Sequence, residues 1–331
     1  MKKRIISLAA AAVFVIGTLA GCGNSSTQTT DTTASSDASS SSGDLVTVRD
    51  AVMTGQLDQY ATEIGLWQGI FEKYGIDLQT TEFVAGINTI DAVVNGTADI
   101  GMMADYAAVN RLGNTLDATN LQIFSQISGG QAALSGGLYV DPKYADDPKS
   151  LDGSAGFMYQ EGTVTYYYAS KCIEYLGLDE SKQNLINTDS SQTRLALIQK
   201  GGASAVYANG SEAKYIEEAG WVQVATSQEI GIQTGSYFLS TDKYISENTD
   251  TLAKFLQAVD ESTQYINDHL DESAEYLADK LGLKAEDFKE NWKNYSFEPG
   301  FSEEATTHLE DIEKWGFEHG SFPKDYNIRD L

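Results

Sequence analysis

Gly162-Thr163 stands between a predicted strand and the helix that follows it. That placement suits binding. A glycine lets backbone N–H groups approach a bound group closely, and a helix N-terminus carries partial positive charge. An anion near such an end gains about 0.3–1 kcal/mol when exposed. Other residues stand at equivalent strand-to-helix junctions: Met53 and Gln56, Gly86 and Asn88, and Met103, Asp105 and Tyr106 in the first part of the chain, then Gln160 and Glu161, Asp189 and Ser190, and Tyr207 and Asn209. Gln131 lies at the end of an expected crossover. A doubly wound sheet receives its ligand beyond the carboxyl ends of its strands, where these junctions fall. Thr163 can also act simply as the cap of its helix. No HExxH, CxxC, GxSxG or phosphate-loop pattern occurs. The histidines, His269, His308 and His319, lie in the last third, distant in sequence from every one of these loops. No catalytic residue, metal site or cofactor is therefore expected.

The charges leave the ligand class open. Asp105, Glu161 and Asp189 fall at candidate positions, and a bare anion is disfavoured beside three carboxylates. Arg194 follows Ser190-Ser191 closely enough to reach the same loops or to pair with Asp189. Tyr60, Tyr106, Tyr159, Tyr166 and Tyr207 offer ring faces for a heterocycle or a cation, and each also suits ordinary packing. An organic anion and an aromatic heterocycle both fit.

These junctions need alternating strands and helices to position them, and the hydrophobic pattern supplies that alternation. Leu45 to Arg49 reads as a strand. Leu66, Trp67, Ile70, Phe71 and Tyr74 predict a helix over Gly65 to Tyr74, stopped by Gly75. Ile76, Leu78 and Thr80 alternate with polar residues as a half-buried strand. The βα grammar continues through Val222 to Ala225, with Asp105, Ser190 and Ser211 as cap candidates. The run from Ile90 to Gly101 echoes the run from Leu195 to Val206: helix end, glycine stop, small-residue strand. This order predicts parallel sheets with helices on both faces. From Asn248 onward the pattern is helical and charged, with Leu252, Phe255, Leu256 and Val259 as a core stripe.

The N-terminus addresses the chain to a membrane surface. Lys2, Lys3 and Arg4 precede an apolar run from Ile5 to Ile16, as in a secretory signal. Leu19-Ala20-Gly21-Cys22 resembles the lipobox of bacterial lipoproteins, in which the cysteine takes a diacylglyceryl group and further acyl chain (palmitate-like). Each buried CH₂ of such a chain contributes about 0.8 kcal/mol. Residues 23–43 are almost all Ser, Thr, Ala, Asp and Gly and read as a flexible tether. The formal charge of −26 repels nucleic acid. Cys172 is the one cysteine besides Cys22, so no intramolecular disulfide is expected.

Three segments, Gly65 to Gln79, Ile90 to Gly101 and Leu195 to Tyr207, together resemble the nitrate/sulfonate/taurine-type periplasmic solute-binding proteins and the thiamine-pyrimidine-synthase-like proteins of the same superfamily. Ser204 stands where that superfamily commonly has an acidic residue. The resemblance spans Asp44 to Thr241. It implies a class II periplasmic-binding-protein fold of α/β type: two lobes, each a mixed or parallel sheet flanked by helices, plus a helical C-terminal section. The expected division is a signal peptide (1–21), a tether (22–43), lobe 1 (44–128 and 236–331) and lobe 2 (129–235), with crossovers near Ser128 to Gln131 and Gly231 to Tyr237. It further implies a monomeric, lipid-anchored extracytoplasmic component of an ABC importer that meets permease subunits and closes around a small molecule. The alternatives are an enzyme of the thiamine-pyrimidine-synthase type, whose Cys-rich segment and active-site His have no counterpart here, and a surface sensor on the same fold.

Overall fold

The computed structural model describes residues 45–330, apart from 117, 119, 131–135, 152, 154, 155, 294 and the Ser211 side chain. Cys22, the tether and Gln131 lie outside the described residues.

Two five-stranded sheets organise the chain. The first contains β1 (Val46–Met53), β2 (Ile76–Phe83), β3 (Ile100–Ala104), β4 (Leu121–Gly130) and β10 (Thr234–Thr241) in the order β2-β1-β3-β10-β4. β1 runs parallel to β2 and β3, whereas β10 is antiparallel to both β3 and β4. The second contains β5 (Gly136–Val140), β6 (Gly156–Tyr159), β7 (Asn184–Asn187), β8 (Ala205–Asn209) and β9 (Val222–Thr226) in the order β7-β6-β8-β5-β9. β6 is parallel to β7 and β8, and β5 is antiparallel to β8 and β9. Both sheets are thus mixed, with an antiparallel strand in the same relative place. The chain leaves the first sheet after Gly130, forms the second from Gly136 to Thr226 and re-enters the first at Thr234. We call the bodies built on the two sheets lobe 1 and lobe 2.

Helices cover both faces, as parallel pairing requires. Lobe 1 carries α1 (Leu57–Trp67), α2 (Ile70–Lys73), α3 (Gly86–Val94) and α4 (Asp105–Thr115). Lobe 2 carries α5 (Val164–Tyr175), α6 (Ser191–Gln199), α7 (Gly210–Glu218) and α8 (Ser227–Ile230). The C-terminal section supplies α9 (Asp242–Glu247), α10 (Thr249–Asp268), α11 (Leu270–Leu281), α12 (Ala285–Trp292) and α13 (Glu303–Glu318). The stripe on α10 does what its spacing predicts: Leu252, Phe255 and Val259 are buried with Phe71 and Phe238. Burying a side chain of this size contributes about 1.5–3 kcal/mol.

One helix expectation is corrected. The apolar face over Gly65 to Tyr74 is not one helix. α1 begins at Leu57, eight residues earlier, and breaks at Gly69, whose φ of 67° is left-handed; Ile70 and Phe71 sit on the separate α2. Of the expected face only Ile70 and Phe71 are buried; Leu66 and Trp67 are exposed, and the buried face of α1 is instead Leu57, Ala61 and Ile64. Gly65 is a close-packing position, since a Cβ there would collide with the Phe71 ring and Ser262 Oγ.

Candidate ligand-binding cleft

The cleft is built from the first turns of helices that follow sheet strands. A cavity of about 500 Å³ has one wall from lobe 1, Met103 through Ala107 with Asn110 and Arg111, and the other from lobe 2, Gly162, Thr163, Val164 and Tyr168. Ile87 and Thr234 also line it. A second cavity of about 320 Å³ adjoins it, sharing Ala104 and Thr234, and is lined by Met53, Gln56, Ser128, Asn291 and Tyr295. Sequence reasoning therefore found Met103, Asp105, Tyr106, Gly162 and Thr163 on the larger cavity and Met53 and Gln56 on the smaller.

Local sequence explains the walls. Gly162 has φ of 73°, a left-handed conformation that favours glycine, and the position its Cβ would take is open space. Thr163 caps α5: its Oγ1 accepts from the Thr165 N–H at 3.3 Å and donates to the Gln160 carbonyl at 2.9 Å. The capping role and the lining role coexist. Ala104, not Asp105, is the N-cap residue of α4.

Asp105 is the first helical residue, buried, and its carboxylate has fixed partners. Oδ1 accepts from the Tyr106 N–H at 2.7 Å, and Oδ2 accepts from the Gly235 N–H at 2.9 Å and lies 2.8 Å from His308 Nε2. His308 is distant in sequence from the cleft loops, yet α13 brings it against Asp105 across about two hundred residues, behind the cavity lining. A sequence signal was available only in part, since Asp105 and His308 carry complementary chemistry but nothing local relates them.

The remaining carboxylates stand outside the cavities. Glu161 is exposed, and its Oε2 accepts from Asn187 Nδ2 at 3.1 Å. Asp189 is exposed, and hydrogen bonds from Thr193 and Ser190 hold its pKa below the ordinary carboxylate value. Arg194 does not reach the cleft or Asp189. It is buried within lobe 2, with Nε 2.6 Å from Glu212 Oε1 and Nη2 3.1 Å from Glu212 Oε2, and with Nη1 donating to Thr188 Oγ1. The cation of the larger cavity is Arg111, missed by sequence reasoning because it sits two turns into α4. Its Nη2 is 2.6 Å from Asp91 Oδ1, while its Nε is buried with no partner among the described residues.

Several sequence candidates do not line either cavity. Tyr207 is a packing residue, buried against Tyr168 at 4.6 Å with its hydroxyl 3.0 Å from Ser227 Oγ. Gly86 lets α3 approach β3, where a Cβ would come 3.1 Å from Met103 Cγ. Ser190 caps α6 by accepting from the Thr193 N–H. Asn88 in the first turn of α3, Gln160 just after β6 and Asn209 at the end of β8 lie off both cavities. Asn291 and Tyr295 line the smaller cavity from the C-terminal section, where the helical pattern marks only core. Burial raises the Tyr106 and Tyr168 hydroxyls above the ordinary tyrosine value and pushes Tyr295 up to about 12, so all three are neutral at pH 7.

Two mixed sheets joined by a pair of crossings, with a cleft between the carboxyl ends of their strands, define the periplasmic-binding-protein fold. The NMT1/THI5 like family model matches residues 64–273, well over half of the chain, and the chain belongs to that family. Solved structures agree. The periplasmic aliphatic sulphonate binding protein of Escherichia coli aligns with a TM-score of 0.70 at 17% identity, over 86% of this chain and 96% of that one. A periplasmic sulfonate-binding protein of Methylobacillus flagellatus aligns at 0.67 and 13% identity, over 87% and 91%. The periplasmic nitrate-binding protein of Synechocystis PCC 6803 aligns at 0.56 and 15% identity, over 86% and 84%. At such identities the likeness establishes the fold. No curated protein matches the chain significantly.

Proposed function

We propose that the chain is the extracytoplasmic solute-binding component of an ABC importer, tethered to the membrane through lipid on Cys22, and that it captures a small organic anion between its lobes. The observation that carries this reading is the 500 Å³ cavity with Asp105–Asn110 on one wall and Gly162–Tyr168 on the other. A ligand touching both walls favours the closed arrangement by its differential affinity for it, and a permease can recognise that arrangement.

The charges support an anion. The one carboxylate on the cavity is held by His308, Gly235 and Tyr106, while Glu161 and Asp189 lie outside it. Arg111 and the N-terminal end of α5 face the same space. Ile87, Met103, Val164 and the Tyr106 and Tyr168 rings supply apolar wall, which suits an organic body rather than a bare inorganic ion. Known binders of sulphonate and nitrate share the fold.

We read the chain as a binder, not a thiamine-pyrimidine-synthase-type enzyme. Cys172 is fully buried, and burial raises its thiol well above the ordinary value, so it supplies no thiolate. A role in sensing shares the same binding step and is separated by whether uptake is lost when the protein is deleted. The test is a thermal-shift screen over alkanesulfonates, nitrate, amines and pyrimidines, repeated on Gly162→Asp. An alkanesulfonate or related organic anion stabilises the wild type, and Gly162→Asp keeps the fold but loses the shift. An undiminished shift in that variant removes Gly162 from the site.

A further inference from the structure

α13 places one stripe of residues against both lobes. His308 Nε2 is 2.8 Å from Asp105 Oδ2, the oxygen that also accepts the Gly235 N–H, so this end of α13 is tied to the first turn of α4 and to the start of β10. Two turns further on, Trp315 meets lobe 2 edge-on. Its ring centroid is 5.0 Å from that of Tyr166 and 5.4 Å from that of Tyr167, both on α5, the helix whose first turn forms the lobe 2 wall of the cleft. The same indole lies 6.0 Å from Tyr106 on α4. One more turn brings His319, stacked on Trp315 at 4.2 Å, within 3.3 Å of Glu180 Oε1 in lobe 2. Positions 308, 315 and 319 share a helix face because their separations of seven and four residues are near whole turns.

We propose that α13 is an interlobe clasp, in which Trp315 and His319 position α5, and with it the Gly162-Thr163 wall, relative to α4. A side chain wedged between two bodies must exchange contacts when those bodies rotate, so its packing biases their angle. Edge-to-face is a geometry that aromatic pairs prefer, so turning α5 relative to α13 disturbs favourable Trp315–Tyr166 and Trp315–Tyr167 contacts. The indole Nε1 has no acceptor among the described residues, so the grip comes from the ring faces and not from that N–H. The inference concerns the lobes alone and holds whatever the ligand is.

Double electron–electron resonance without added ligand tests it. Spin labels are attached at Val84→Cys and Tyr215→Cys, exposed positions on lobe 1 and lobe 2, in full-length Cys22→Ser protein, where Cys172 is fully buried and does not react. Trp315→Ala moves the distance distribution to longer values and broadens it. Trp315→Phe, which keeps one aromatic ring but loses the rest of the indole together with the unused N–H, shifts the distribution less than Trp315→Ala does. Phe255→Leu, a core change within lobe 1, leaves the distribution in place, separating clasping from general destabilisation. Should Trp315→Ala fail to fold, Glu180→Ala carries the test and must shift the distribution in the same direction. A wild-type distribution in Trp315→Ala, or in Glu180→Ala where that variant stands in, overturns the clasp, as does an equal shift in Phe255→Leu. Loss of solute binding in the thermal-shift screen has no bearing on either result.

Discussion

Two carboxyl groups sit in the heart of lobe 1 with almost nothing to hold them ionised, and they make stability fall as pH rises. Asp50 on β1 and Asp58 on α1 are both essentially fully buried. Asp50 has no partner for either oxygen and Asp58 none for Oδ1 among the described residues; Asp58 Oδ2 accepts from the Met53 N–H at 2.9 Å. Burial pushes Asp58 up to about 7, against backbone hydrogen bonds from Met53 and Gln59 that pull it down. Burial, with the Asp58 charge adding to it, raises Asp50 well above the ordinary value. The folded protein thus keeps a proton on Asp58 that the unfolded chain releases near pH 4. The unfolded state binds fewer protons between those values, so the Asp58 contribution to stability falls as pH rises from about 4 to about 7 and levels off above, with Asp50 adding a fall of the same sign.

At roughly 1.4 kcal/mol per unit, the Asp58 displacement corresponds to about 4 kcal/mol over the whole window. Asp58→Asn removes the titration while keeping an oxygen for the Met53 N–H. The assay is urea unfolding of wild type and variant at a series of pH values. The stability of the variant relative to wild type should rise by roughly 2–3 kcal/mol between pH 5 and pH 8. Any constant offset from the amide cancels in that comparison. A difference that does not change with pH, or that moves the other way, refutes the reasoning, because it means Asp58 ionises normally in the folded protein.

Other perturbations test the remaining packing arguments. Arg194→Ala leaves the half-buried Glu212 carboxylate without its bidentate partner and should cost about 3–5 kcal/mol in chemical denaturation. Gly101→Ala drives a Cβ to 2.9 Å from the Thr89 carbonyl oxygen, where the backbone of α3 cannot yield, and should lower stability by about 1–3 kcal/mol. Phe255→Ala empties a fully buried site between Phe71 and Phe238 and should cost about 3–5 kcal/mol, seen as a lower denaturation midpoint at unchanged slope.

Much of this architecture is written in local pattern. The alternation Ile76, Leu78 against Asp77, Gln79 becomes β2 with the first pair buried, and the α10 stripe becomes core, because burial on one face repeats with the period of its own element. The lobe walls at Met103, Tyr106, Gly162 and Thr163 were legible for a related reason: a strand followed by a helix places its junction at the same end of the sheet every time. What stayed hidden depends on pairings across long sequence separation. Nothing near His308 marks it as the partner of Asp105, and nothing near Trp315 marks α5 as its neighbour. Arg111 was passed over because it lies within a helix, away from a junction, yet α4 turns it toward the cavity. Tyr207 illustrates the reverse. It stands near a junction, but β8 is buried on both faces, and Tyr168 and Ser227 enclose its side chain.

Hydrogen–deuterium exchange separates a clamped ligand from a surface one. The probe is the alkanesulfonate that gives the largest thermal shift, added at saturation. Clamping between the lobes predicts slower exchange in two stretches together, residues 104–110 at the start of α4 and residues 162–168 at the start of α5. Slowing confined to one of those stretches, or found only elsewhere on the molecule, contradicts it.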